Sequence, residues 1–155
     1  MKREWVEWAQ DAREQFPQAN SALMPLLHRI QAADGWLDHE TLADVAQLLD
    51  LPLPYVQSVA SFYSLFFKER VGKQVIHVCV GLSCALAGSD ALMHTLEDKL
   101  GIGEGQTTPD GRYSLLEAEC LAACDLAPVA QVNLRYRGRV LPEEAERLLQ
   151  GEESS

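Results

Sequence analysis

Apolar residues in residues 1–70 recur with the i, i+3, i+4, i+7 spacing of amphipathic helices. Three such stripes are Leu23, Leu26, Leu27 and Ile30; Leu42, Val45, Ala46 and Leu49; and Val56, Val59, Ala60 and Tyr63. Asp34-Gly35 ends the first stripe, and Leu51 to Pro54 separates the other two, with Pro54 as the expected first helical residue. Thr41 and Asp44 resemble a capping box. The pattern predicts an N-terminal helical bundle over residues 1–71.

The pattern changes after Val71-Gly72. A β-branched run, Val75 to Val80, is typical of a buried strand and contains Cys79. The segment from Cys84 to Leu100 carries one helical stripe, with Gly101 beyond its end. A loop is expected from Gly101 to Gly111, because it contains the turn signal Pro109-Asp110-Gly111. The residues from Tyr113 to Glu119 then predict a second strand that leads to Cys120.

The last third of the chain predicts a hairpin and a short helix. Val129 to Leu134 and Arg139 to Leu141 form the expected hairpin around Arg137-Gly138, and Pro142 opens the helix. The tail, residues 151–155, is expected to fray. The order β-α-β-β-β-α is thioredoxin-like and places both cysteine pairs at strand ends on one edge. We therefore predict an α+β chain with a thioredoxin-like domain over residues 72–155.

Composition narrows the possible functions. The 155 residues are 47% hydrophobic and 23% charged, which is ordinary for a globular protein. The net charge of −10 argues against a nucleic-acid partner, because no basic patch is available to neutralise phosphates. No apolar run is long enough for a signal peptide or a membrane span, so we expect a cytoplasmic chain without direct membrane insertion.

The candidate chemistry lies in the four cysteines, which form two close pairs, Cys79-x4-Cys84 and Cys120-x3-Cys124. Four thiolates at one point bind zinc, Cu(I) or an iron–sulfur cluster. A thioredoxin-type oxidoreductase requires C-x-x-C, and zinc ribbons use C-x2-C knuckles; neither spacing is present. The spacing favours a [2Fe–2S] cluster with one cysteine pair per iron. Structural zinc, two disulfides and buried free thiols stay open as alternatives.

Several segments also resemble a known family. They are Ala22 to Leu27 with Gly35-Trp36-Leu37, Val59 to Ser64, Cys79 to Cys84 with Ala87-Gly88, Thr108 to Gly111, Glu119 to Cys124, and Ala127 to Val129. Together they are similar to the thioredoxin-like [2Fe–2S] subunit, of the 24 kDa type, that accompanies the flavin subunit of respiratory complex I. Related NAD-linked hydrogenases and formate dehydrogenases use the same module. The family usually has glycine where this chain has Ala122, and such a glycine allows a positive φ or a close approach to the cluster.

The resemblance implies one [2Fe–2S] cluster held by Cys79, Cys84, Cys120 and Cys124, with no catalytic residue on this chain. The implied role is electron transfer beside the FMN of an NADH-oxidising module, as a subunit of NADH:quinone oxidoreductase (complex I). FMN and NADH would bind a partner subunit, further iron–sulfur subunits would complete the assembly, and the complex would lie on the inner face of the membrane. The alternatives are the diaphorase module of an NAD-dependent hydrogenase or formate dehydrogenase, and a zinc-stabilised interaction module.

Residues near the cysteines have simpler interpretations. His77 shares a strand face with Cys79, but four cysteines already complete the ligand set, so we expect a partly buried strand histidine. Glu119 and Asp125 flank ligands, and their negative charge would keep a cluster's potential low. The aromatic run from Phe62 to Phe67 is expected to pack in the core, or in part to contact a partner protein.

Overall fold

The structure, a computed structural model, describes residues 2–150. The predicted fraying of residues 151–155 lies outside the described residues. The chain divides into two compact units, Met1–Arg70 and Val71–Ser155. Helices make up the regular structure described in the first unit, and the second unit combines helices with a five-stranded sheet. The α+β class is confirmed.

Four helices form the first unit: α1 (Arg3–Gln15), α2 (Ala19–Asp34), α3 (His39–Leu49) and α4 (Leu53–Phe62). The predicted stripes of α2 and α3 are buried in full, as are Val56 and Ala60 of α4. The sequence pattern does not resolve α1, which contributes Trp5, Ala9 and Ala12 to the same core.

Three details of the helical prediction are wrong. The cap of α3 is Asp38, whose carboxylate accepts a hydrogen bond from the Thr41 N–H at 2.7 Å, so Thr41 lies inside the helix. Pro54 is the second helical residue, because α4 begins at Leu53. Tyr63 lies beyond the end of α4 and is 45% exposed, because the helix ends at Phe62 and the stripe is not continued.

The sheet of the second unit has the order β2-β3-β1-β4-β5. Its strands are β1 (Gln74–Cys79), β2 (Gln106–Thr107), β3 (Tyr113–Ala118), β4 (Val129–Val132) and β5 (Arg135–Gly138). The central pair β1–β3 is parallel, with Cys79 opposite Ala118, and the other three pairs are antiparallel. Parallel pairing makes β1 and β3 end at the same edge of the sheet.

Three helices accompany the sheet: α5 (Leu82–Leu86), α6 (Ser89–Leu100) and α7 (Glu146–Leu149), with 3₁₀ turns at Cys124–Leu126 and Pro142–Glu144. Leu92 and Leu96 of α6 share a core with Ile76 and Val78 of β1 and with Leu115 of β3. Among the described residues, no helix is both long and apolar enough to cross a membrane.

Three predictions for this unit need correction. The expected helix from Cys84 to Leu100 is two helices, because Gly88 has φ 101° and interrupts them. The expected loop from Gly101 to Gly111 contains β2, which is too short to show a pattern. The hairpin turn lies at Asn133-Leu134, with φ values of 46° and 67°, so Gly138 belongs to β5.

Candidate metal centre

Two strand ends bring the cysteine pairs together. Cys79 is the last residue of β1, and Cys120 follows β3 by two positions. Beyond the paired residues, the Val80 N–H still donates to the Ala118 carbonyl at 2.9 Å, so the two chain segments leave the sheet side by side. The prediction that both pairs lie at strand ends on one edge is confirmed for the first cysteine of each pair.

The second cysteine of each pair lies in a short helical turn. Cys84 lies in α5, where the sequence predicts the start of a longer helix, and Cys124 opens the 3₁₀ turn Cys124–Leu126. Cys79 and Cys84 are buried, with exposed fractions of 3% and 2%, whereas Cys120 and Cys124 are exposed. The site therefore has one buried and one solvent-facing pair of thiols.

Apolar residues surround the buried pair. Val129 at the start of β4 is buried with Cys79 and Cys84, and Leu121, Ala123, Leu126 and Ala127 pack against them. These four residues all belong to the segment that carries Cys120 and Cys124. The second segment thus covers the thiols of the first.

The thiols interact with one another. Burial raises the pKa of Cys79, but hydrogen bonds from the Leu121 and Gly81 backbone, with contributions from the Cys84 and Cys120 thiols, outweigh burial and lower that pKa overall. The pKa of Cys84 is raised by burial and by its hydrogen bond to Cys79, and the charges of Cys79 and Cys124 raise it further. Each of the four cysteines therefore contributes to the pKa shift of at least one other cysteine.

At Gly81, the first cysteine segment comes close to the second. A Cβ on Gly81 would lie 3.1 Å from the Glu119 carbonyl oxygen, 3.6 Å from the Cys79 Sγ and 3.9 Å from the Cys120 Cβ. The first of these separations is tighter than most Cβ contacts, so a side chain here would push the segments apart. The position favours glycine because of this close approach.

Ala122, between the last two cysteines, adopts the left-handed conformation with φ 54°. Its N–H donates to the Cys120 Sγ at 3.3 Å. A residue with a Cβ is strained in this region, which explains why glycine suits the position. The backbone at position 122 thus has the positive φ that the family's usual glycine is expected to allow.

Strand β5 and Arg139, the residue that follows it, support the second cysteine segment through contacts that the sequence does not predict. The Tyr136 hydroxyl donates to the Leu121 carbonyl at 2.9 Å, and the Arg139 N–H donates to the Leu126 carbonyl at 2.7 Å. Gly138 packs directly against the Leu126 side chain. The sequence predicts the hairpin turn at Arg137-Gly138, so these residues are not expected to lie in a strand beside the cysteine segment. Asn133 is the residue that could have indicated the correct turn, because Asn is common in turns.

The other candidate residues take simple positions. His77 lies in the middle of β1 with 7% exposure, and burial lowers its pKa. Glu119 and Asp125 are both exposed beside the cysteines. In the part of the chain that the structure describes, no group of three or more His, Cys, Asp or Glu side chains is arranged to hold one metal ion.

Comparisons with known proteins identify the family. The sequence model of the family described as thioredoxin-like [2Fe-2S] ferredoxin matches residues 9–153. The NADH-quinone oxidoreductase E 2 subunit of Rhizobium meliloti is 43% identical over 129 residues, which cover 83% of this chain and 77% of the relative. NADH-quinone oxidoreductase subunit 2 of Thermus thermophilus is 45% identical over 113 residues, 73% of this chain and 62% of the relative.

Among solved structures, an NAD+-reducing [NiFe]-hydrogenase is similar with a TM-score of 0.72 and 29% sequence identity over 83% of this chain. The chain corresponds to 22% of that hydrogenase polypeptide. Because the family match spans nearly the whole sequence, the chain belongs to the thioredoxin-like [2Fe–2S] ferredoxin family, in which its relatives include the E subunits of NADH-quinone oxidoreductases.

Proposed function

We propose that this chain is an electron-transfer subunit that carries one [2Fe–2S] cluster beside the FMN of an NADH-oxidising module, in NADH:quinone oxidoreductase. The observation that carries the proposal is the parallel pair β1–β3, which brings both cysteine segments to one end of the sheet. The 43% identity to an E subunit of that enzyme supports the choice of assembly.

Cys79, Cys84, Cys120 and Cys124 would hold the cluster. The donor set fits, because all four candidate ligands are sulfur and they come as two pairs, one for each iron. A two-iron group needs two protein ligands per iron, so it does not require three side chains around one ion. When bound, the cluster supplies a site that accepts and releases one electron.

The chain's own residues stabilise negative charge on the thiolates. The Gly81 and Leu121 backbone donates to Cys79, the Val129 backbone to Cys84, and the Ala122 N–H to Cys120. Hydrogen bonds to ligand sulfurs tune the potential of an iron–sulfur cluster. The apolar residues around Cys79 and Cys84 keep water from that side of the site.

Iron and sulfide analysis of the purified chain tests the ligands. We expect two irons and two sulfides per chain, a brown colour, and loss or perturbation of the cluster on changing any of the four cysteines to Ser. Ser83→Ala is the matched control, because Ser83 is exposed between Cys79 and Cys84. A colourless protein with about one zinc and no sulfide would instead establish the zinc-stabilised interaction module.

The proposed partner is an FMN- and NADH-binding subunit, with further iron–sulfur subunits completing a complex on the cytoplasmic side of the membrane. The first unit offers a surface for such a contact: Phe62 is 80% exposed and lies edge-to-face on Tyr63, with ring centroids 5.1 Å apart. Exposed aromatic side chains of this kind are enriched at protein interfaces.

Pull-down of the flavin subunit with the full-length chain tests this surface. Phe62→Ser should weaken capture at least tenfold, while Leu141→Ser should not, since Leu141 is 43% exposed but lies in the other unit. Equal capture by the Phe62→Ser chain and the unmodified chain would remove the docking role from this surface.

The division into a helical domain of residues 1–71 and a cluster-binding domain of residues 72–155 belongs to the same proposal.

A second assembly has a specific observation in its favour. The similarity to an NAD+-reducing [NiFe]-hydrogenase, at a TM-score of 0.72, supports the diaphorase module of a hydrogenase or formate dehydrogenase. The 29% identity to that hydrogenase is lower than the 43% identity to the Rhizobium meliloti subunit, which favours the quinone reductase. The subunits that co-purify with the chain distinguish the two assemblies.

A further inference from the structure

Tyr136 on β5 contacts the backbone that supports a cysteine thiol. Its hydroxyl donates a hydrogen bond to the Leu121 carbonyl at 2.9 Å. The Ala122 N–H donates to the Cys120 Sγ at 3.3 Å. The Leu121 carbonyl and the Ala122 N–H are the two ends of one planar peptide group. The Tyr136 hydroxyl and the Cys120 sulfur are therefore hydrogen-bonded to opposite ends of the same amide.

The hydrogen bond from Tyr136 to the Leu121 carbonyl strengthens the hydrogen bond from the Ala122 N–H to the Cys120 Sγ. When a carbonyl accepts a hydrogen bond, the amide is polarised and its N–H becomes a better donor, by roughly 10–30% per bond in condensed-phase estimates. The peptide also needs support, because Ala122 is held at φ 54°, where an alanine is strained. The hydroxyl thus acts on both the donor strength and the orientation of the amide.

The sheet holds the tyrosine in place. Tyr136 is opposite Gln131 in the β4–β5 pair, and β4 is paired in turn with β1, the strand that ends at Cys79. The two cysteine segments and the tyrosine are consequently connected through one sheet. At 49% exposure, the ring contributes little to the core, so burial does not explain the side chain.

We infer that Tyr136 is a positioning residue for Cys120, which acts through the Leu121–Ala122 peptide to raise the reduction potential of the cluster. The direction follows from charge: reduction adds one electron, so a stronger N–H donor to a ligand sulfur stabilises the reduced form more than the oxidised form. This inference rests on the proposed function, because it requires the cluster at these cysteines.

Tyr136→Phe tests the inference, since it removes the hydroxyl and keeps the ring. Tyr113→Phe is the matched control, because the Tyr113 hydroxyl also donates to a backbone carbonyl, that of Leu149, at 2.6 Å. The measurement is an EPR-monitored redox titration of each full-length holoprotein, with iron content and heat stability determined on the same samples.

At the midpoint potential of the unmodified protein, Tyr136→Phe should lower the ratio of reduced to oxidised cluster about 1.5-fold, because the lost hydroxyl changes only a fraction of the strength of one hydrogen bond. Tyr113→Phe should lower heat stability and leave that ratio unchanged. An unchanged ratio in Tyr136→Phe, or an equal fall in both variants, would overturn the inference. Failure of the proposed function would differ, because the unmodified chain would then contain no iron and sulfide.

Discussion

Gly138 lies so close to Leu126 that a Cβ on Gly138 would come within 2.6 Å of the Leu126 Cβ. Leu126 ends the 3₁₀ turn that Cys124 opens, so the contact fixes that turn against β5. The absence of a side chain at position 138 is thus a condition for placing Cys124.

Gly138→Ala should destabilise the cluster-binding unit by about 1–3 kcal/mol, the usual cost of overpacking. We expect the visible absorption of the cluster to be lost at a lower temperature than in the unmodified chain. Gly103→Ala is the control, because its Cβ would meet only the ends of two flexible side chains, Gln106 at 3.7 Å and Glu97 at 4.0 Å. Equal thermal transitions for the two variants would show that Leu126 moves aside without cost.

Ala122→Gly should stabilise the second cysteine segment. Ala122 has φ 54°, and relieving a left-handed alanine is worth about 1 kcal/mol. The cluster should therefore survive to a temperature roughly 4–8 °C higher, measured by visible absorption, because the unit that holds it has the size of a small domain. Ala123→Gly is the matched control: its φ is −126°, so glycine there adds only chain entropy to the unfolded state and lowers stability.

Asp125→Asn should raise the midpoint potential of the cluster. Asp125 is exposed and directly follows Cys124, so its charge opposes the extra electron of the reduced form. For the unmodified chain we expect a low midpoint, of roughly −400 mV as in plant-type ferredoxins.

Asp98→Asn provides the control for charge. Asp98 is also exposed, but it lies near the far end of α6 from the cysteines. It is nine residues beyond Ser89, the first residue of that helix, which is about 14 Å along the helix axis. Both variants change the net charge equally, so a local effect requires a larger shift for Asp125→Asn. Identical shifts in an EPR-monitored titration would assign the effect to overall charge.

Asp38→Ala should cost the helical unit about 1 kcal/mol, the typical value of an N-cap. Unfolding is measured by tryptophan fluorescence, because the three tryptophans of the chain, Trp5, Trp8 and Trp36, all lie in this unit. Gln47→Ala, an exposed change within α3, should leave stability nearly unchanged.

The Asp38 cap also has a pH dependence of known sign. Hydrogen bonds from the backbone and side chain of Thr41 lower the pKa of Asp38 in the folded chain. Its ionised form therefore stabilises the fold above the unfolded pKa of about 3.9, and this stabilisation is lost as the pH falls through the lower folded value. Asp38→Asn keeps a cap but should remove this part of the acid dependence.

The sequence predicted those features whose causes are local. The β-branched run of β1 and the apolar stripes of α2 and α3 depend on residue spacing, and both were placed correctly. The convergence of the cysteine pairs followed from their places at strand ends. The resemblance to the family added the cluster and its ligands, which spacing alone had left open between iron–sulfur and zinc.

Features that depend on distant contacts could not be predicted. The turn at Asn133-Leu134 includes a leucine, which gives no turn signal, and Asn133 is held by hydrogen bonds to the Val75 N–H at 2.9 Å and the Lys73 carbonyl at 3.1 Å. Likewise, β2 has two residues and exists because it pairs with β3. The support of the cysteine segment by Tyr136 and Gly138 depended on that turn.

The parallel pairing of β1 with β3 also has a consequence for biosynthesis. Cys79 precedes Cys120 by 41 positions, which the ribosome translates in about 2 to 8 s at 5–20 residues per second. During that interval the nascent chain exposes the first cysteine pair without the strand that delivers the second. Cluster insertion at four cysteines therefore has to follow translation of Cys124, and until then Cys79 and Cys84 are open to oxidation or to the wrong metal.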